Sequence, residues 1–181
     1  MAENQRIRLT KRMLRESLIA FLAHKNIHHV SVREICEGAE INRTTFYKYY
    51  GSPYDLLRDM ENEVLAQIEG YLGMNDGLQG DFQLFLKIIS YIDDNVELCR
   101  LLINNAVGSA FPERLLNLPT IRRLLSEQLS AEYGSDESDY IHQFVVDGGF
   151  SIIKRWINRD ARESPEKIAM LFVSTLSKLI P

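Results

Sequence analysis

Residues 31–53, SVREICEGAEINRTTFYKYYGSP, decide the fold. Ser31 stands three residues before Glu34, which is the spacing of a reciprocal capping box. In such a box the serine hydroxyl accepts a backbone N–H of the first helical turn, and the glutamate accepts the N–H of the serine. We therefore predict a short helix over Val32–Gly38. Its inward residues are predicted to be Ile35 and Cys36.

A second short helix is predicted after a turn of about three residues. Asn42 is a favoured N-cap, so this helix should cover residues 43–49 with Phe46 and Tyr50 inward. Two short helices joined by such a turn are the geometry of a helix-turn-helix unit.

The outer face of the helix over residues 43–49 is rich in hydrogen-bonding side chains. Arg43 can contact guanine through two hydrogen bonds, and Thr44 offers a hydroxyl and a methyl group. Tyr47 and Lys48 are long enough to reach phosphates. The alternative interpretation of the same face is an ordinary solvated helix surface.

Upstream, apolar residues at spacings of three and four predict a helix over residues 7–24. Its buried stripe should consist of Leu14, Leu18, Phe21 and Leu22. Its solvated basic residues should be Arg8, Lys11, Arg12 and Arg15.

Downstream, Gly51-Ser52-Pro53 stops one helix and starts another of about 20 residues, with Ser52 as N-cap and Pro53 at the first helical position. The buried face of that helix should carry Leu57, Met60, Val64, Ile68 and Tyr71. The Gly-rich residues 73–80 are the plausible flexible connection. Further helices are predicted at about 81–94, 96–107, 112–133, 137–159 and 164–180, with a possible break at Leu118-Pro119.

Composition limits the class of protein. The chain has 181 residues, 45% of them apolar, and two cysteines, which excludes a disordered chain, a collagen-like repeat and a disulfide scaffold. The sequence shows no run of about 18 apolar residues and no signal peptide, so we expect a cytoplasmic protein with no membrane partner. Cys36 and Cys99 lie in amphipathic runs and are predicted to be small buried apolar residues.

Charge is divided unevenly along the chain. The formal net charge is −4, but residues 1–50 carry nine basic and five acidic side chains and therefore a balance of +4. The remaining 131 residues have a balance of −8. A basic segment followed by an acidic body is compatible with a polyanion partner, because the local field and not the total charge steers it.

Residues 31–57 resemble the DNA-binding signature of the TetR/AcrR family of transcriptional regulators. The positions that match the family pattern are Ile35, Ala39, Ile41, Phe46, Tyr47, Tyr50 and Leu56. The resemblance implies an all-α, TetR-like fold of about nine helices in total. A three-helix helix-turn-helix DNA-binding domain would cover residues 1–52, and a helical bundle for ligand sensing and dimerisation would cover residues 53–181.

The resemblance also implies a function: a repressor that binds a double-stranded DNA operator as a homodimer and is released by a small-molecule inducer. The run 140–162 and the segment 101–105 resemble a TetR subgroup in which some members are co-activators. A co-activator of the same fold is therefore one alternative, and a helical interaction module without DNA binding is another.

Site residues follow from the resemblance position by position. Ser31, Thr45 and Tyr47 would bind phosphates. Arg33, Arg43 and Thr44 would contact bases, and Lys48 and Tyr49 would reach the backbone or neighbouring bases. Glu40 and Pro53 depart from the family pattern, which usually has Gly in the turn and Lys at the start of the fourth helix.

The pairing surface is expected on the last two helices, which carry apolar stripes beyond the needs of one bundle. Its residues are predicted to be Phe144, Gly148, Gly149, Ile152 and Trp156 on one helix and Ile168, Leu171, Phe172, Thr175, Leu176 and Leu179 on the other. An inducer pocket would lie among Tyr91, Arg100, Asn104, Phe111, His142, Phe150 and Trp156.

An enzyme is the competing class. The sequence lacks a phosphate-binding Gly loop, a nucleophile elbow and a His-rich metal motif, so no catalytic residue and no cofactor is predicted. His24, His28 and His29 are candidate metal ligands, but no carboxylate or cysteine completes the set nearby. No metal site is therefore predicted.

Overall fold

The structure is a computed structural model in which residues 2–74, 82–104, 111–129 and 133–179 are described. Within these ranges the regular structure is entirely helical, which confirms the predicted all-α class. One turn of 3-10 helix covers Ile27–His29. The α-helices are α1 (Ala2–Leu22), α2 (Val32–Gly38), α3 (Arg43–Tyr47), α4 (Pro53–Leu72), α5 (Phe82–Asp94), α6 (Val96–Asn104), α7 (Phe111–Leu116), α8 (Pro119–Leu129), α9 (Ser135–Ile157) and α10 (Pro165–Leu179).

Three predicted helix bounds need correction. The α1 helix begins before residue 7 and ends at Leu22. The α3 helix ends at Tyr47, because the Lys48 N–H turns back to the Thr45 carbonyl at 3.3 Å and tightens the last turn. The helix over 112–133 is divided into α7 and α8 at the break that Leu118-Pro119 had suggested, because a proline lacks the N–H and disfavours helical geometry in the preceding residue. The described residues therefore hold ten α-helices, against the predicted number of about nine.

The described residues form two compact units, which divide between Val64 and Leu65, within α4. The predicted functional boundary at residue 52 stays a prediction. Of the predicted connection over 73–80, residues 75–80 lie outside the described residues. Among the described residues, every helix is too short or too polar to span a bilayer.

The first unit is held together by apolar residues from α1 to α4. Its largest fully buried side chains are Leu14, Leu18, Ile35, Phe46, Leu56 and Met60. The α1 and α2 helices approach closely at Gly38, where an added Cβ would lie 2.5 Å from Ser17 Oγ. The same hydroxyl donates to the Ile35 carbonyl at 2.9 Å. This packing fixes α2, on which α3 rests.

The second unit is a helical bundle in which α5 packs along α10 and α9 packs against α6 and α8. The Phe85 and Phe172 rings stack with centroids 5.4 Å apart. Arg100 on α6 donates from Nε and Nη2 to the Ile157 carbonyl at 2.9 and 2.6 Å, which satisfies the C-terminal end of α9. Cys99 in this unit and Cys36 in the first are buried and free, as predicted.

Candidate nucleic-acid interface

The turn between α2 and α3 is a Schellman motif. The Glu40 N–H donates to the Glu37 carbonyl at 3.3 Å, and the Ile41 N–H donates to the Cys36 carbonyl at 2.9 Å. Glu40 takes the left-handed position of this motif, with φ of 54°, and it is the only non-glycine residue with positive φ in the described part of the chain. Glycine is the usual residue there because it has no Cβ to clash. The departure at Glu40 is therefore a strained backbone position.

We expect Glu40→Gly to raise the free energy of unfolding by about 1 kcal/mol, because it removes the left-handed penalty of an L-residue. Chemical denaturation measures this gain. Glu40→Ala is the matched control, since it removes the carboxylate but keeps the Cβ. If Glu40→Gly and Glu40→Ala were equally stable, the gain in stability would not come from relief of the left-handed backbone conformation.

The α3 helix is short and has one buried and one exposed face. Asn42 Oδ1 accepts the Thr44 N–H at 2.8 Å, so the predicted cap is confirmed. Phe46 and Tyr50 are buried at 0% and 5% exposure, as predicted. Of the predicted contact residues on α3 and the turn after it, Thr45 and Tyr49 are half-buried. The exposed members of that set are Arg43, Thr44, Tyr47 and Lys48.

The start of α2 is fixed by a network around Ser31. Its hydroxyl accepts the Glu34 N–H at 3.2 Å and donates to Glu34 Oε2 at 2.9 Å, and the capping box is confirmed. Hydrogen bonds from Lys25 and from the backbone N–H and hydroxyl of Ser31 lower the pKa of Glu34 to about 2. The Ser31 hydroxyl would have to exchange its bond to Glu34 in order to donate to a phosphate.

A polar cluster between α1 and α4 was not predicted from the sequence. It consists of Lys11, Arg15, Tyr50 and Asp59 and is called the Asp59 cluster below. Asp59 Oδ2 accepts from the Tyr50 hydroxyl at 2.7 Å and from Arg15 Nη2 at 3.0 Å, and Lys11 Nζ lies 3.6 Å away. Burial by itself raises the pKa of Asp59, but the hydrogen bonds from Tyr50 and Arg15 outweigh it and lower that pKa.

The cluster corrects the prediction that the basic residues of α1 are all solvated. Arg15 also pairs with Glu63, and its side chain is only 26% exposed. Lys11 Nζ lies 5.4 Å from the centroid of the Tyr50 ring. Since Tyr50 lies three residues after the end of α3, the cluster holds the turn that follows α3 against α4.

The three histidines considered as metal ligands lie between α1 and α2. His24, His28 and His29 are exposed, and the His28 ring nitrogen Nδ1 contacts the Tyr54 hydroxyl. The described residues contain no group of three or more His, Cys, Asp or Glu side chains placed to hold a metal ion.

The residues predicted to form an inducer pocket all lie in the second unit. Three of them meet around the C-terminal end of α9: Arg100 binds the Ile157 carbonyl, Asn104 Nδ2 donates to Asn158 Oδ1 at 2.7 Å, and Trp156 Nε1 donates to the Glu163 carbonyl at 2.8 Å. Phe111 is buried, and the half-buried members are Tyr91, His142 and Phe150. His142 Nε2 is buried without a hydrogen-bond partner, and burial together with the positive charge of Arg122 lowers the pKa of His142.

A cavity of about 470 Å³ lies between α4 and the α7–α8 junction. None of the seven predicted residues is among its described lining residues, which are Leu65, Ala66, Glu69, Arg114, Asn117, Leu118 and Pro119. Glu69 Oε1 accepts the Thr120 N–H at 3.1 Å, and Glu69 Oε2 is buried without a hydrogen-bond partner. Periodicity could not locate this cavity, because it forms where Pro119 interrupts a helix.

The predicted pairing residues divide into exposed and internal ones. Phe144 on α9 and Leu171 on α10 are 65% and 44% exposed. Trp156, Ile168 and Leu176 are buried within the second unit itself. The half-buried members are Gly148, Gly149, Ile152, Phe172, Thr175 and Leu179. Tyr140 and Met170, which were not predicted, are exposed apolar residues on the same two helices.

The fold and the exposed face of α3 together define an all-helical protein of the helix-turn-helix class. The family described as "Bacterial regulatory proteins, tetR family" matches residues 16–60, and the family described as "Transcriptional regulator C-terminal region" matches residues 82–178, more than half of the chain. The chain belongs to the tetR family of transcriptional regulators. Proteins of this family are non-enzymatic and bind DNA operators, typically as dimers with small-molecule ligands.

The relatives are distant. The chain is 22% identical over 162 residues to the uncharacterized HTH-type transcriptional regulator YxbF of Bacillus subtilis (strain 168). This match covers 86% of the chain but 42% of the length of YxbF, so the chain spans about two fifths of that relative.

Solved structures share the fold. A TetR transcriptional regulator from Streptococcus agalactiae 2603V has a TM-score of 0.67 and 17% identity, covering 97% of this chain and 98% of its own. The dihydroxyacetone kinase operon activator DhaS has a TM-score of 0.65 and 20% identity, covering 94% and 96%. The fatty acid degradation regulator FadR from Bacillus halodurans has a TM-score of 0.67 and 14% identity, covering 93% and 94%.

Proposed function

We propose that this protein binds a double-stranded DNA operator as a homodimer and represses transcription until a small molecule releases it. The observation that carries the proposal is the exposed face of α3. Arg43, Thr44, Tyr47 and Lys48 face solvent, while Phe46 holds the helix to the core. A helix presented in this way is able to enter a major groove and contact base edges.

The local charge supports the same proposal. The first 50 residues have a balance of +4 within a chain of net charge −4, so the positive field lies on the segment that carries α3. Asp59, which lies outside these 50 residues, neutralises part of the charge of Lys11 and Arg15. Arg43 and Lys48 form no ion pair with a carboxylate among the described residues, so we expect both of them to meet DNA.

Activation of transcription is the alternative to repression. DhaS is described as an operon activator, but at 20% identity that likeness shows the fold alone. An activator of the same fold would use the same α3 surface. Transcription from a reporter promoter with and without the protein distinguishes the two signs.

The test of DNA binding uses a duplex that the protein itself selects from a random DNA library, so the operator sequence emerges from the selection. We expect Arg43→Ala to cost about 1–3 kcal/mol on the selected duplex and to relax the preference for one base pair. We expect Lys48→Ala to weaken binding to selected and random duplexes alike and to reduce the salt slope by about 1. Fluorescence anisotropy across a salt series measures both.

Equal losses on selected and random DNA for Arg43→Ala would contradict its role in base recognition. Failure of the wild-type protein to enrich any sequence at low salt would overturn the proposed function itself and favour an interaction module that does not bind DNA.

A further inference from the structure

Arg33 and Glu37 form an ion pair on the surface of α2. Arg33 Nε donates to Glu37 Oε1 at 2.6 Å, one helical turn apart. The two side chains are 68% and 61% exposed, so the pair contributes little to stability. The position of the pair therefore matters more for function than its contribution to stability.

The pair lies beside the start of α3. Glu37 and Arg43 line the same recess of about 390 Å³, together with Cys36, Glu40, Ile41 and Asn42. The Arg33 guanidinium donates to Glu37, which lines this recess, although Arg33 itself is not one of the lining residues. Arg33 is thus linked through Glu37 to the recess that Arg43, the first residue of α3, also lines.

The geometry of the hydrogen bond determines what the guanidinium can still do. Glu37 binds Arg33 at Nε, and among the described residues no hydrogen bond occupies its two terminal amino groups. Two parallel N–H donors of a guanidinium match the O6 and N7 acceptors of guanine. A free arginine loses rotamer entropy when it forms such a contact, and a carboxylate that already holds its plane reduces this loss.

We propose that Glu37 is a positioning residue that holds the Arg33 guanidinium ready for a guanine in the operator, and so increases sequence preference and not general affinity for DNA. The inference rests on the proposed function, because it requires a DNA operator. It assigns a role to an acidic residue on a surface where acid would otherwise only repel phosphate.

The two roles of Glu37 give opposite results when its charge is removed. If Glu37 only repels phosphate, Glu37→Gln tightens binding to every duplex, because one negative charge per protomer is lost. If Glu37 positions Arg33, Glu37→Gln weakens binding to the selected duplex by roughly 3- to 10-fold while binding to random DNA stays equal or becomes tighter. The ratio of the two affinities separates the roles whatever the absolute change.

The measurement is the dissociation constant of the full-length protein for the selected duplex, for variants of it with each base pair replaced, and for random DNA. The loss of preference should fall on one base pair in each half-site. It should be absent from Glu37→Gln introduced into an Arg33→Ala background, because the carboxylate then has no guanidinium to hold.

Glu16→Gln is the matched control. Glu16 pairs with Arg12 at 3.7 Å with the same spacing on α1, and the two side chains are 67% and 68% exposed. We expect it to leave the preference ratio unchanged. A preference ratio for Glu37→Gln equal to that of the wild type, or an equal loss in the Arg33→Ala background, overturns the inference. Either of these two results can be obtained only if the wild-type protein selects a DNA sequence. If the proposed function is wrong, the wild-type protein selects none, so the two failures are distinguishable.

Discussion

Replacing Phe46 by alanine should cost about 3–5 kcal/mol of unfolding free energy and abolish selection of a DNA sequence. Phe46 is fully buried and is the central inward residue of α3. Its ring lies edge-on to Tyr47 with centroids 5.7 Å apart, and 5.8 Å from the Tyr50 ring. A helix of five residues has too few internal hydrogen bonds to persist alone, so this ring holds it in place.

The expected loss is measured by chemical denaturation together with anisotropy on the selected duplex. Tyr47→Phe is the control on the neighbouring residue, which is 59% exposed. It removes only a hydroxyl from the surface, so stability should change by less than about 0.5 kcal/mol. An α3 that keeps its stability after Phe46→Ala would show that other contacts hold it.

Local hydrogen-bonding rules are sufficient to predict where α2 and α3 begin. The cap of α2 depends on Ser31 and Glu34, three residues apart, and the cap of α3 depends on Asn42 alone. Both caps are confirmed because each needs only neighbours in the chain. Glu40 departs from the glycine of the family pattern, and its φ of 54° gives that departure a conformational cost.

The Asp59 cluster could not be predicted in the same way. Arg15 and Asp59 are 44 positions apart in the sequence. The place of Arg15 in the helical repeat of α1 does not distinguish it from the solvated arginines of the same helix. Only the packing of α1 against α4 determines that this one side chain meets a carboxylate. Periodicity predicts which face is polar, but it does not identify long-range polar partners.

The last two helices show a second limit of prediction from the sequence. The apolar stripes of α9 and α10 are equally compatible with a core and with a pairing surface. The structure places Ile168 and Leu176 inside the second unit, where they cover its own core. The pairing surface that we propose is therefore narrower than the predicted set and depends on Phe144 and Leu171, with Tyr140 and Met170 beside them on the same helices.

Leu171→Glu should convert the proposed dimer into a monomer. Leu171 is 44% exposed on α10. In a dimer that pairs through this residue, a carboxylate there would be desolvated in the interface. A monomer presents one recognition helix and loses the gain from linked binding, so its affinity for the selected duplex should fall by roughly 100-fold or more. Sedimentation velocity measures the oligomeric state, and anisotropy measures the loss.

Leu9→Glu provides the matched control, because Leu9 is 48% exposed but lies on α1 in the first unit. The same change of an equally exposed leucine to a carboxylate should leave the oligomeric state unaltered. If Leu171→Glu stays a dimer at micromolar concentration, this part of α10 is not the pairing surface, and the same exchange at Phe144 then tests α9. If both single variants stay dimeric, self-association uses a surface other than the faces of α9 and α10 that expose these residues.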